Sequence, residues 1–289
     1  MHDKLVKSIH GYYSIKDMPS EETLKKHYQD KYFQDNKSVY THSYSKAELS
    51  YLQTKAKVSE YIFSNTFHEK KLLDVGAGEG FFANYFLNKQ WDITTLDYSS
   101  YAIKNHNPEL EKTLVQGDIF NSLDNLIHQK EYYTLINLSN VLEHVINPIQ
   151  LLTQLKILLS KGSLLRISVP NDYSDFQKLL LEQGKTSNTW FCPPEHLHYF
   201  TFNSLIKLLE SLDYEIVISM GEFPIEVFLS NESSNYAKNQ QNGKAAHQSR
   251  IEIDNFILGQ GLEKYINYYK ASADIGLSRQ VVIFAKIKN

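Results

Sequence analysis

An α/β fold built on a doubly wound parallel sheet, with helices on both faces, is what this 289-residue sequence predicts. Three observations predict it. From Lys71 onward, short apolar runs of strand length alternate with segments of helical period. Acidic residues stand at the ends of the first three runs, where open α/β sheets bind ligands. The first run also passes straight into a turn holding three glycines, which opens a helix.

The elements follow in order. The first 44 residues show no strand runs and are rich in aromatics, with Tyr12, Tyr13, Tyr28, Tyr32, Phe33, Tyr40 and Tyr44. They predict a helix capped by Ser20 with Glu21 and Glu22 in its first turn. Ser45 and Glu48 have the spacing of a capping box, and Leu49, Leu52, Ala56 and Phe63 keep a roughly helical period after it. Strands are predicted at 71–75, 91–97, 112–118, 134–139, 163–170, 214–220 and 279–287. Between them lie helices through Phe82, Tyr85 and Phe86, through Leu151, Leu155 and Leu158 behind an Asn147 cap and Pro148, and through Leu205, Leu208 and Leu212 behind Thr201. No internal repeat is visible. The expected organisation is a helical cap or lid at 1–66 and one domain at 67–289. Two stretches interrupt its alternation, 171–200 and the polar 222–277, and these read as lids, interfaces or flexible loops.

Composition narrows the function. Hydrophobic residues make up 42% and charged residues 22%, a globular balance. One cysteine, Cys192, excludes a disulfide framework and a Cys-rich zinc site. The net charge of -3 gives no electrostatic case for nucleic acid. No apolar run reaches the roughly 20 residues of a membrane span, and MHDKLVKSIH has no signal-peptide core. A cytoplasmic protein is the expectation.

The strongest motif is LLDVGAGEG at 72–80. Its glycines, Gly76, Gly78 and Gly80, let backbone approach a ligand. Asp74 before the turn and Glu79 inside it oppose a pyrophosphate and suit a ligand carrying an ammonium and a sulfonium. The glycine spacing also departs from that of a nicotinamide site. Asp97, about 20 residues on, is placed to accept ribose hydroxyls, Tyr98 to pack on a base, and Asp118 to accept an adenine amino group. LLDVGAGEG, LDYS, GDIF and NVLEHVINP stand in an order that resembles the class I S-adenosylmethionine-dependent methyltransferases. The resemblance covers 71–220 and the last strand. It implies a Rossmann-like seven-stranded sheet of order 3-2-1-4-5-7-6 with the last strand antiparallel, and S-adenosylmethionine as cofactor. Ala77, Ile119 and Leu138 complete the expected cofactor-binding set.

Methyl transfer from a sulfonium asks the enzyme mainly to position the acceptor and take its proton. His144, after the fourth strand, and His196 and His198, beyond the fifth, are the candidate bases. In an extended segment the last two point the same way and rank slightly ahead. Glu143 is expected to partner by hydrogen bonding. The segment also resembles ubiquinone-pathway O-methyltransferases, whose Glu-x-x-Glu-His pattern holds magnesium. Asn140 replaces the first glutamate here, so no metal is expected. FPIE at 223–226, Asn235-Tyr236, His247 and IGLSR at 275–279 resemble the tail of bacterial surface-polysaccharide methyltransferases. With Arg250 and Arg279 as forks for an anion and Tyr199 nearby, the expected acceptor is a nucleotide-linked or phosphorylated sugar. A quinone or other small aromatic acceptor, and a catalytically idle S-adenosylmethionine-binding protein, are the alternatives.

Overall fold

A computed structural model describes residues 2–32, 43–63, 69–187 and 189–288. The chain begins with strands that the sequence pattern does not show: β1 (Leu5–Lys7) and β2 (Tyr13–Ile15) pair antiparallel, Leu5 opposite Ile15. Helix α1 (Glu21–Tyr32) follows its Ser20 cap, whose Oγ accepts from the Thr23 amide at 3.2 Å. Phe33 and Tyr40 lie outside the described residues. Helix α2 (Lys46–Phe63) opens on the predicted box: the Ser45 amide donates to Glu48 Oε2 at 2.8 Å and the Glu48 amide to Ser45 Oγ at 3.3 Å.

The alternation then runs β3 (Lys71–Val75), α3 (Phe81–Leu87), β4 (Asp92–Asp97), α4 (Tyr101–His106), β5 (Leu114–Gln116), α5 (Ile119–His128), β6 (Tyr133–Ser139), α6 (Pro148–Leu158) and β7 (Leu159–Pro170). After α7 (Asp175–Glu182), β8 (His198–Tyr199), α8 (Phe202–Ser211) and β9 (Tyr214–Met220) come two long helices, α9 (Asn242–Gly259) and α10 (Leu262–Asp274), and then β10 (Gln280–Ile287). Much of the 222–277 stretch is therefore helix rather than loop. The third strand is shorter than predicted and the fifth longer.

The main sheet has the order β5-β4-β3-β6-β7-β10-β9, which is the predicted 3-2-1-4-5-7-6. All neighbours are parallel except β10, which runs antiparallel to both β7 and β9. A second sheet, β1-β2-β8, stands beside it. Side chains alternate across the main sheet. Leu73, Val75, Ile136, Leu138, Leu165 and Ile167 face the side covered by α5, α6 and α8. Leu72, Leu135, Leu164 and Phe284 face the side of α2, α3 and α10. Each such fully buried side chain stabilises the fold by about 1.5–3 kcal/mol relative to exposure. On that second face the register also aligns a polar row, Thr95, Asp74, Asn137 and Arg166, across four strands. Among the described residues no helix is long and apolar enough to cross a membrane.

Candidate active site

The turn after β3 is held from behind and open in front. Gly76, Gly78 and Gly80 have φ of 70°, 56° and 80°, the left-handed region that favours glycine. The amides of Gly76 and Ala77 donate to the Leu96 carbonyl, at 2.8 and 3.1 Å. A Cβ on Gly76 would meet Val141 Cγ2 at 2.3 Å, and one on Gly80 would meet Leu110 Cδ1 at 2.6 Å. At Gly78 no described atom lies within 4 Å of that position. Asp97, at the end of β4, binds this loop directly. Its Oδ2 accepts from the Gly78 amide at 2.8 Å and its Oδ1 from the Ser99 amide at 3.0 Å. Burial raises its pKa, and these amides oppose the rise.

Asp74 is buried beneath the loop. Asn137 Nδ2 donates to its Oδ1 at 2.7 Å, while Oδ2 has no hydrogen-bond partner. Burial pushes its pKa up to about 6, against the pull of Asn137 and Arg166. Glu79 faces the N-terminal segment and α4: Tyr44 Oη donates to both its oxygens at 2.7 and 2.9 Å, and His106 Nε2 lies 3.2 Å from Oε1. An unpartnered buried carboxylate oxygen and an open glycine turn fit a cationic ligand with an adenosine. Tyr98 is half-buried just past Asp97. Asp118 is exposed and caps α5, accepting from the Asn121 amide at 3.0 Å, with Ile119 as the first helical residue. Leu138, expected at the cofactor, is instead fully buried among core side chains, on the opposite face from Asp74. Its side chain is closed to a ligand.

A second cluster forms past the ends of β6 and β7. Glu143 is 1% exposed, and neither of its carboxylate oxygens has a hydrogen-bond partner. Burial pushes its pKa up to about 7. His144 Nδ1 lies 2.6 Å from the Glu195 carbonyl oxygen, an acceptor, so Nδ1 carries a proton. Its Nε2 is 3.6 Å from Glu143 Oε1. The His196 ring stands edge-on to His144, centroids 5.0 Å apart, with its Nδ1 3.5 Å from Asp172 Oδ2. Burial disfavours its charge, but Asp172, Cys192 and Glu143 outweigh that, and its pKa is pushed up to about 10.

The two histidines expected to act as a pair part company here. His198 is buried, its Nδ1 2.8 Å from Ser14 Oγ and its Nε2 2.9 Å from the Val145 carbonyl. Burial pushes its pKa down to about 4. It is a packing residue that ties β8 to β2, and the imidazole beside His196 is His144. Tyr199 is 1% exposed and likewise structural: its hydroxyl donates to the His196 carbonyl at 3.2 Å. Arg279 is held by Asp172 at 2.7 Å and Glu226 at 3.4 Å, so its charge is answered within the protein rather than held out to an anion. Arg250 lies 5.0 Å over the Tyr51 ring with Nη2 2.8 Å from His247 Nδ1, and its buried Nε makes no hydrogen bond.

Donor atoms of Glu143, His144 and His196 lie within 4.8 Å of one another. One carboxylate and two imidazoles differ from the oxygen set that magnesium takes. Asn140, in a turn at φ 53°, supplies no carboxylate. The magnesium pattern does not fit this chain.

Arg166 and Asp172 are the site residues that sequence reasoning passed over. Arg166 is 2% exposed at the centre of the sheet, with Nη1 donating to Asn137 Oδ1 at 2.9 Å. Its signal was a lone arginine inside the apolar run SLLRISVP. Asp172 stood two residues past a predicted strand, close to the strand-end places of Asp97 and Asp118.

A family model described as a methyltransferase domain matches residues 46–219. No curated protein matches the chain. Among solved structures, the chain is similar to an S-adenosylmethionine-dependent methyltransferase from Archaeoglobus fulgidus, at 19% identity and a TM-score of 0.52, over 92% of this chain and all of that one. It is also similar to the cyclase SpnF, at 12% identity and a TM-score of 0.50, over 94% of this chain and 98% of that one. At these identities the likeness is one of fold.

Proposed function

Because the chain belongs to the methyltransferase-domain family, we propose that it carries a methyl group from S-adenosylmethionine to a hydroxyl of a small polar acceptor, a nucleotide-linked or phosphorylated sugar made for a surface polysaccharide. The methyl donor, when bound, supplies a methyl group already activated on a sulfonium. The protein's part is to bind, orient and deprotonate.

At the donor end, Asp74 offers its unpartnered Oδ2 to the ammonium, Gly78 leaves room beside the turn, and Asp97 serves both the loop and the ribose. Ala77, Tyr98, Asp118 and Ile119 border the adenosine. Tyr44, through its bonds to Glu79, holds the start of α2 against the glycine turn.

At the acceptor end, the observation that carries the reading is His144, held by the Glu195 carbonyl with its Nε2 3.6 Å from Glu143 Oε1. His144 Nε2 takes the hydroxyl proton as the oxygen attacks in line. Glu143, with a pKa near 7, steadies the imidazolium that forms. His196 stays charged at neutral pH and is no base.

The test is a panel of nucleotide sugars, phosphorylated sugars and phenols with labelled donor, read by mass gain of one methylene. Gain on a sugar supports the reading. Gain only on phenols overturns the acceptor class, and binding of the donor without gain on any compound overturns methyl transfer to small polar acceptors.

A further inference from the structure

A buried arginine in the middle of a central strand is costly unless its charge is answered. Arg166 is answered on both sides. Its Nη2 lies 3.7 Å from Glu222 Oε1, and Lys55 Nζ lies 3.4 Å from that same oxygen. Its Nη1 donates to Asn137, which in turn donates to Asp74. The chain of contacts follows the register of β3, β6 and β7, so three neighbouring strands each contribute one member. The guanidinium also lies 5.7 Å over the Phe82 ring from α3, which fixes its plane. Neutralising Glu222 needs only one end of this arginine. The other end is spent on Asn137.

Asn137 gains a defined orientation from that bond. Its carbonyl oxygen is taken by Arg166, so its amide must point its N–H at Asp74. One Asp74 oxygen is thereby occupied and the other left bare.

We propose that Arg166 is a positioning residue for the donor site: acting through Asn137, it orients the Asp74 carboxylate and keeps it negative for the donor's ammonium. This rests on the donor reading given above. The groups facing Asp74 are few. Arg166 from β7 and Asn137 from β6 favour its charge, as does the Ala83 amide from α3, while Asp97 from β4 opposes it. Removing the arginine therefore leaves burial and Asp97 to protonate Asp74 at higher pH.

The experiment titrates two ligands into the full chain between about pH 5.5 and 8.5. S-adenosylhomocysteine carries the ammonium, and 5′-methylthioadenosine keeps the adenosine but lacks it. The variant is Arg166→Met with Glu222→Gln, which removes both charges together; Asn137→Ala cuts the same link while keeping the Arg166–Glu222 pair, and it carries the test if the double variant does not fold. The expected result near neutral pH is a loss of about tenfold or more in S-adenosylhomocysteine affinity. Affinity should recover as pH rises, with methylthioadenosine unaffected. Equal weakening of both ligands, a loss that ignores pH, or no loss at all overturns the proposal. Failure of the native chain to bind S-adenosylhomocysteine is a different result, and it overturns the donor reading itself.

Discussion

His144 holds its Nδ1 proton against the Glu195 carbonyl, and this contact separates three histidines of similar sequence setting into three roles. His144→Ala should keep donor affinity and lose turnover by about 10²–10⁴, measured on the true acceptor. His198→Ala should instead lower stability by about 1–3 kcal/mol in a denaturant melt, since both ring nitrogens are bonded in a buried site. His196 gives a pH signature. Its folded pKa, about 10, lies above the unfolded value, so its stabilisation is full below about pH 6.5 and is lost as pH rises toward 10. A His196→Gln variant should flatten the alkaline fall in stability relative to the native chain. The places of Asp74, Asp97 and His144 at or just past strand ends were legible, because apolar runs and short motifs mark them. The roles of His196 and His198 were not: period two predicts a direction along a strand, and β8 begins only at His198. Arg279 was misread for a related reason, since its partners Asp172 and Glu226 come from segments far away in the chain.

The glycine turn shows how an element divides two demands among neighbouring positions. Gly76 faces the core, where Val141 leaves no room for a Cβ, while Gly78 faces open space. Gly76→Ala should therefore destabilise the fold. Gly78→Val should leave a folded chain, seen by circular dichroism, that no longer binds the donor in calorimetry. Strands of the main sheet and the capped helices were legible because apolar period and capping residues agree there, at Ser45, Asn147 and Thr201 among others. Helices α9 and α10 were not. Helix α10 carries a stripe of helical period, Leu262, Tyr265, Ile266, Tyr269 and Ala273, that the long polar stretch around it hides. In α9 the buried face holds Asp254, to which Tyr269 and Tyr265 donate at 2.6 and 3.1 Å. Strands β1, β2 and β8 are two or three residues long, too short to carry a pattern.

Across the whole molecule, the side sheet β1-β2-β8 joins the first residues to the segment that carries His196. Tyr12 enters the main core, and Ser14 pairs with His198 in the β2–β8 register. A chain shortened to begin at Lys16 should bind the donor with near-native affinity, since the bonds that hold the glycine turn and Asp74 come from Leu96, Asp97 and Asn137 of the main sheet. It should lose turnover as the 192–198 segment loosens, and melt at lower temperature; calorimetry with S-adenosylhomocysteine and a turnover assay separate the two effects. The same pairing sets an order of events during synthesis. Ser14 leaves the ribosome 184 residues ahead of His198. At about 5–20 residues per second, the outer edge of β2 waits roughly ten to forty seconds for its partner. Through that interval the hairpin offers an unpaired strand edge to other nascent chains. The donor half of the sheet, β3 to β6, can be complete by residue 139, well before the acceptor wall closes. The newborn chain therefore has its glycine turn in place before Arg166 arrives on β7 to bond Asn137 beside Asp74.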